Sequence, residues 1–270
     1  MTFKVKIILH DNRELVVRFY PPGREKVASF EPELLARLRS LGACVPTPLA
    51  YSTNIDDAFL IYEMLPGLSL DVLIDNISEK KLDNIACHVC EQLSILGKLS
   101  VLGWGELKSA ENATAVSWES FVQSVVDLPL IPQVPSWLAD ARDKLKTIAK
   151  VRIAPSKPTL VWTDISPENI IVDRNSNFVG LIDFESVMAL EPEAMLGYLD
   201  ARYSLTRFQR SIEACSVCRE SEARLRSIYT VIRALRILPY QEEALLTGSS
   251  RDPLQEFLPG LKEACQVLLQ

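Results

Sequence analysis

Alternation opens the chain. FKVKIIL and ELVVRFY switch between apolar and polar positions with period two and flank HDNR, a good turn, so residues 3–20 are predicted to form a β-hairpin. PPGRE breaks that pattern, and ELLARLRSL carries apolar residues at helical spacing. Pro32 is placed near the start of this helix, where a missing N–H costs nothing, and Gly42 at its end. VPTPLAYS and AFLIYEM predict two further strands, with the prolines keeping the approach to the first extended. The pattern stops at Pro66-Gly67, which marks a hinge and divides the chain into a small β-rich lobe, 1–66, and a larger part, 67–270.

Beyond the hinge the apolar spacing turns helical over 79–99, 117–127 and 135–150, with VLGWGELKSAENATAV read as a loop. Short strand-like runs return only at 159–162, 169–173 and 178–182, and residues 193–270 are helical again. The clearest of these last helices is 221–238, with Leu225, Ile228, Ile232 and Leu235 on one face. The pattern as a whole predicts an α+β protein.

A net charge of −6 and a pI near 5.2 disfavour a nucleic-acid footprint, because phosphate binding concentrates Lys and Arg into basic patches. No apolar run reaches membrane-spanning length, and MTFKVKIILHDNRE has no signal-peptide core, so no membrane partner and a cytoplasmic location are expected. Two C-x-x-C pairs, Cys87/Cys90 and Cys215/Cys218, raise a four-thiolate zinc site. Both lie in helix-like sequence without knuckle glycines, which favours cysteines acting as small hydrophobes.

The candidate chemistry is in VWTDISPENIIV, residues 161–172, and in LIDFES downstream. Asp164 and Asn169 emerge at the ends of strand-like runs. Asp183 ends another strand, expected to pair with 169–173 across the turn at 173–177, so that three oxygen-bearing groups converge on one small sheet. Phosphoryl transfer uses such a set: one carboxylate orients the attacking hydroxyl and accepts its proton, while a carboxamide and a second carboxylate hold Mg²⁺.

The order D-x-x-x-x-N, strand, Asp is that of the protein-kinase catalytic set. Residues 159–185 resemble the signature of the aminoglycoside phosphotransferase and choline kinase-like family, and ELVVRFYPPGRE, SFEPELLARLRSLGACVPTPLAYS and FLIYEMLPGLSL resemble its third strand, following helix and hinge strand. The resemblance implies a two-lobed protein-kinase-like fold with a β-rich nucleotide-binding N-lobe and a mainly helical C-lobe. It implies a kinase moving the terminal phosphate of ATP or GTP to a hydroxyl of a metabolite or aminoglycoside-like antibiotic. Asp164 would then be the catalytic base and Asn169 and Asp183 the Mg²⁺ ligands. Arg18, paired with Glu31 or Glu33, would meet the phosphates, and Glu63 and Leu65 at the hinge would meet the base.

The sequence departs from the family's pattern in three places. Trp162 stands where the family usually has a His, seventeen residues precede Arg18 with no Gly-rich loop among them, and Glu191-Pro192 replaces a usual Asp-Pro. Glu185, Glu191, Glu193 and Asp200 are candidates to line an acidic pocket that would suit a cationic acceptor, against the commoner reading of such a run as a solvated turn and helix start. The competing reading is a kinase-like binding or regulatory module without catalysis.

Overall fold

The structure is a computed structural model, and it describes residues 3–54, 56–130, 134–153, 157–216, 223–246 and 253–270. The hairpin forms as its alternation requires: β1 (Phe3–Ile8) pairs antiparallel with β2 (Glu14–Phe19), Lys4 opposite Arg18. Two more strands, β3 (Pro48–Ser52) and β4 (Phe59–Glu63), complete a four-stranded sheet in the order β1-β2-β4-β3.

One helix, α1 (Glu25–Ser40), packs against this sheet. It begins well before the predicted start, so Pro32 lies in its interior and Glu31 is not a cap residue. Burial overrides the proline: Val27, Ala28 and Phe30 extend the stripe of Leu34, Leu35 and Leu38 by almost two turns, and their removal from water outweighs one missing backbone hydrogen bond.

The hinge leads into β5 (Leu68–Ser69), which joins β9 (Ile170–Val172) and β10 (Phe178–Leu181) in a three-stranded sheet. Gly67 has a φ of 145°, and a Cβ there would lie 2.3 Å from the Val172 carbonyl oxygen, so the hinge passes β9 as closely as backbone can.

Next come α2 (Glu79–Leu96), β6 (Trp104–Ser109), β7 (Asn112–Ala115), α3 (Trp118–Val126), α4 (Ser136–Val151) and β8 (Thr159–Trp162). The chain then runs through β11 (Val187–Leu190), α5 (Ala194–Tyr203), α6 (Arg207–Cys215), α7 (Ala223–Leu246) and α8 (Pro253–Leu269). The stretch read as a loop, 101–116, holds the β6–β7 hairpin, and β8 pairs with β11, which the sequence reading did not predict. Asp164 therefore follows a strand of the sheet β7-β6-β11-β8 while Asn169 directly precedes β9 and Asp183 follows β10 of the sheet β10-β9-β5, so the three groups meet between two sheets and not on one.

The largest apolar cluster is continuous from α1 through β8–β11 to α5, α7 and α8. Gly197 brings α5 against α7, where a Cβ would lie 2.6 Å from the Arg226 carbonyl oxygen. Cys87 and Cys215, read as small hydrophobes, form a disulfide between α2 and α6. Cys218 lies outside the described residues. Among the described residues no helix is long and apolar enough to cross a membrane, and no group of three or more His, Cys, Asp or Glu is placed to hold a metal ion.

Candidate active site

Arg18 is the centre of the site. On β2 its side chain points inward and is only 1% exposed, an arrangement a guanidinium tolerates only with partners. Nη1 donates to both oxygens of Glu31 at 2.9 and 3.2 Å, and Nη2 donates to Asp183 Oδ1 at 2.7 Å. Nη2 also lies 2.5 Å from Glu185. Of the two candidate partners on α1, Glu31 takes the ion pair, while Glu33 is exposed.

Glu31 is fixed on two further sides. Tyr20 donates its hydroxyl to Oε2 at 2.5 Å, and the Phe184 backbone N–H donates to Oε1 at 3.2 Å, which ties α1 to the turn after β10. Burial drives the Glu31 carboxyl above its ordinary range, and Arg18 offsets this only in part because Asp183 and Glu185 add like charge.

Asp183 sits at φ 68° and ψ 70°, a left-handed conformation unusual outside glycine that recurs where a functional group must be aimed. Trp162 holds this turn. It is fully buried, its indole Nε1 donates to the Asp183 carbonyl oxygen at 2.9 Å, and its ring stacks on Phe184 with centroids 5.6 Å apart. The indole N–H thus braces the backbone of the Asp183 turn from the position where the family usually has a His. Lys4 reaches the second carboxylate oxygen of Asp183 at 2.8 Å. Burial alone would raise the Asp183 carboxyl, but Arg18 and Lys4 outweigh it and hold the group below the usual range.

Asp164 lies beyond β8, and Asn169 Nδ2 donates both to its carbonyl oxygen and to its Oδ2, each at 3.1 Å. The Ile182 N–H donates to the Asn169 carbonyl at 3.0 Å, so the residue before Asp183 is bonded to Asn169. At the hinge, the Met64 N–H bonds to the Glu14 carbonyl at 2.9 Å and the Glu63 N–H to Thr47 at 3.0 Å, whereas among the described residues the Leu65 N–H has no backbone acceptor.

A model of the phosphotransferase enzyme family matches residues 2–194. The chain belongs to that family of enzymes. No curated protein sequence matches it significantly. Among solved structures, a thermostable mutant of aminoglycoside phosphotransferase APH(4)-Ia superposes with a TM-score of 0.75 at 16% identity, over 99% of this chain and 90% of that one. The same enzyme has been solved as a ternary complex with ADP and hygromycin B. The GDP and kanamycin complex of APH(2")-IIIa gives 0.63 at 17% identity, over 97% and 92% of the two chains. Choline kinase LicA from Streptococcus pneumoniae gives 0.60 at 18% identity, over 96% and 88%. The phosphotransferase fold, two-lobed and kinase-like, is thus the fold of this chain.

Two of the four acids weighed for an acidic pocket are neither gathered in one nor solvated. Glu191 is buried against Arg152 at 2.7 Å and Tyr229 at 2.6 Å, and Asp200 is held by Arg226 at 2.7 Å and Gln209 at 3.1 Å. Both acids are structural because arginines from distant elements reach them, which no local pattern announces. The sequence reading also missed Lys4, Tyr20, Arg202 and Arg233. Lys4 was findable, since the hairpin register puts it opposite Arg18 on the same face. Arg202 and Arg233, each 3.8 Å from Asp164 Oδ1, come from helices whose placement the sequence leaves open.

Proposed function

We propose that this phosphotransferase moves the terminal phosphate of ATP or GTP to a hydroxyl group of a small molecule, with Asp164 as the base. The supporting observation is the linked set Asp164–Asn169–Ile182/Asp183–Arg18–Glu31, a chain of hydrogen bonds from catalytic loop to N-terminal sheet. In this reading the acceptor hydroxyl donates to Asp164 and its proton passes to that carboxylate as the acceptor oxygen bonds to the terminal phosphorus. The bond from phosphorus to the bridging oxygen breaks, and the nucleoside diphosphate leaves. Arg18, held by Glu31, orients phosphate oxygens, and the Leu65 N–H with the Glu63 backbone receives the base under the hinge.

Asn169 and Asp183 are the proposed Mg²⁺ ligands. Asn169 commits its amide nitrogen to Asp164, which leaves its carbonyl oxygen as donor, and Asp183 already draws two cations to its carboxylate. Such hard oxygens suit Mg²⁺, which keeps several waters and whose charge, when bound, stabilises the phosphates.

Thermal unfolding with ATP or GTP, each with and without Mg²⁺, tests the site without knowledge of the acceptor. A nucleotide at a hundredfold its Kd adds about 2.7 kcal/mol. The expected result is a Mg²⁺-dependent rise in midpoint that Asp183→Asn loses. No shift with either nucleotide would reject the reading and favour a binding module without catalysis. Once an acceptor is found, Asp164→Ala is expected to lower turnover by about 10²–10⁴-fold.

A further inference from the structure

Next to Asp164 in sequence, Thr163 lines a cavity of about 420 Å³ between the start of α1, β6, β11 and α7. Arg24, Lys26, Arg233 and Arg236 line it, against the carboxylates Glu106 and Glu185. Resting on the phosphotransfer reading, we propose that this cavity is the acceptor site and that the acceptor is a hydroxy compound bearing an oxyanion, a carboxylate or phosphate ester, and not a polyamine.

Position ties the cavity to the chemistry. Thr163, which also lines it, directly precedes Asp164, and Arg233 reaches from the cavity wall to within 3.8 Å of Asp164 Oδ1. Arg202 approaches the same oxygen at 3.8 Å. A hydroxyl that meets Asp164 Oδ1 therefore lies near two guanidinium groups.

Sign is the second observation. The chain carries a net charge of −6, yet four cations surround this cavity with two acids. Both acids already face cations: Glu185 lies 2.5 Å from Arg18 and 3.1 Å from Arg24, and Glu106 lies 2.5 Å from Arg236. The lining thus offers a cationic acceptor no carboxylate without a cation beside it, while Arg233 and Lys26 remain in excess of the two lining acids. An oxyanion would meet planar guanidinium donors, whose fork matches carboxylate and phosphate oxygens.

Rigidity is the third. Arg236 is pinned by the Tyr198 hydroxyl at 3.1 Å, and the Arg233 guanidinium lies over the Tyr198 ring, 5.3 Å from its centroid. Burial, with the nearby Arg236 and Arg202 charges, holds the Arg233 guanidinium below its ordinary pKa against the pull of Tyr198 and Asp164. Guanidinium groups held in place before binding lose little freedom when the ligand arrives.

The test uses the full chain saturated with a non-hydrolysable ATP analogue and Mg²⁺, at constant ionic strength, titrated with glucosamine, glucose, glucuronate and glucose 6-phosphate. Glucuronate or glucose 6-phosphate is expected to bind at least tenfold more tightly than glucose and glucosamine, and the stronger of the two separates carboxylate from phosphate ester. Arg233→Gln is expected to weaken the anion at least tenfold and Arg233→Lys to restore part of it. Lys26→Glu, a change at an exposed position, is expected to weaken it severalfold. Binding of glucosamine as tight as either anion, failure of both anions to bind, or anion binding unchanged in Arg233→Gln and Lys26→Glu would each overturn the proposal. The nucleotide response, recorded first without any sugar, reports separately on the phosphotransfer reading and on the folding of each variant.

Discussion

Two arginines that pair with carboxylates in this molecule solve the same problem differently. Arg152 meets one carboxylate, Glu191, at 2.7 Å, stacks on Trp118, and is enclosed by Tyr229, whose hydroxyl donates to Glu191 and accepts from the Trp118 indole. Arg18 meets three, Glu31, Asp183 and Glu185. The first cluster is closed, one charge to one charge. The second holds more carboxylates than arginine can balance, and Lys4 and Arg24 are drawn in from its rim. Counted with them the cluster is balanced, three cations to three carboxylates, but two of those cations are more than a third exposed at its rim, so the second cluster is open where the first is closed.

Breaking the closed cluster is expected to have the largest effect. Arg152→Ala strands Glu191 in the core and should cost about 3–5 kcal/mol in urea unfolding, with the nucleotide-induced shift retained by the protein that remains folded. Loss of that shift at unchanged stability would erase the contrast between the clusters.

An intermediate effect is expected from Trp162→Phe, which keeps the stacking on Phe184 but removes the donor to the Asp183 carbonyl. An unsatisfied buried acceptor costs about 1–3 kcal/mol. The same variant should weaken the Mg²⁺-dependent part of the nucleotide response more than the Mg²⁺-independent part, because it loosens the turn that aims Asp183. Equal weakening of both would reduce Trp162 to packing.

The smallest effect sharpens the comparison through pH. Lys4 is partly exposed, so its pair with Asp183 is worth under about 1 kcal/mol. Asp183 has a folded-state pKa below its unfolded value, so its contribution is complete above the unfolded value and disappears as pH falls through the folded one. The stability gap between wild type and Lys4→Ala should therefore be present at neutral pH and shrink as pH falls below the ordinary carboxylate range. A gap that is independent of pH would mean that Lys4 acts by packing and not by charge on Asp183.

What the sequence disclosed was what repeats locally. The hairpin from Phe3 to Phe19 rests on period-two alternation, and the β9–β10 pair on two short apolar runs about a strong turn: Asp173 Oδ1 accepts from the N–H groups of Asn175 and Asn177, each at 2.8 Å. WGELKS escaped notice because glycines and polar residues around a short strand read as loop, and VMAL because four apolar residues between FES and Glu191-Pro192 carry no period. Pro32 misplaced the start of α1, since a local rule was set against eight buried positions. At the candidate site the polar set was legible from its order. The arginines beside Asp164 were not, because they arrive on α5 and α7 by tertiary packing alone.

Considered as a graph of covalent bonds, the oxidised chain is a ring with two tails. Cys87 and Cys215, 128 positions apart, close the ring, and it carries Asp164, Asn169 and Asp183. The leading tail delivers Lys4, Arg18 and Glu31, and the trailing tail delivers Arg233 and Arg236. The contacts Arg18–Asp183, Lys4–Asp183 and Arg233–Asp164 all join a tail to the ring, so the cleft is the place where three topological pieces are laced together. Reduction returns the ring to a line without touching one of those contacts.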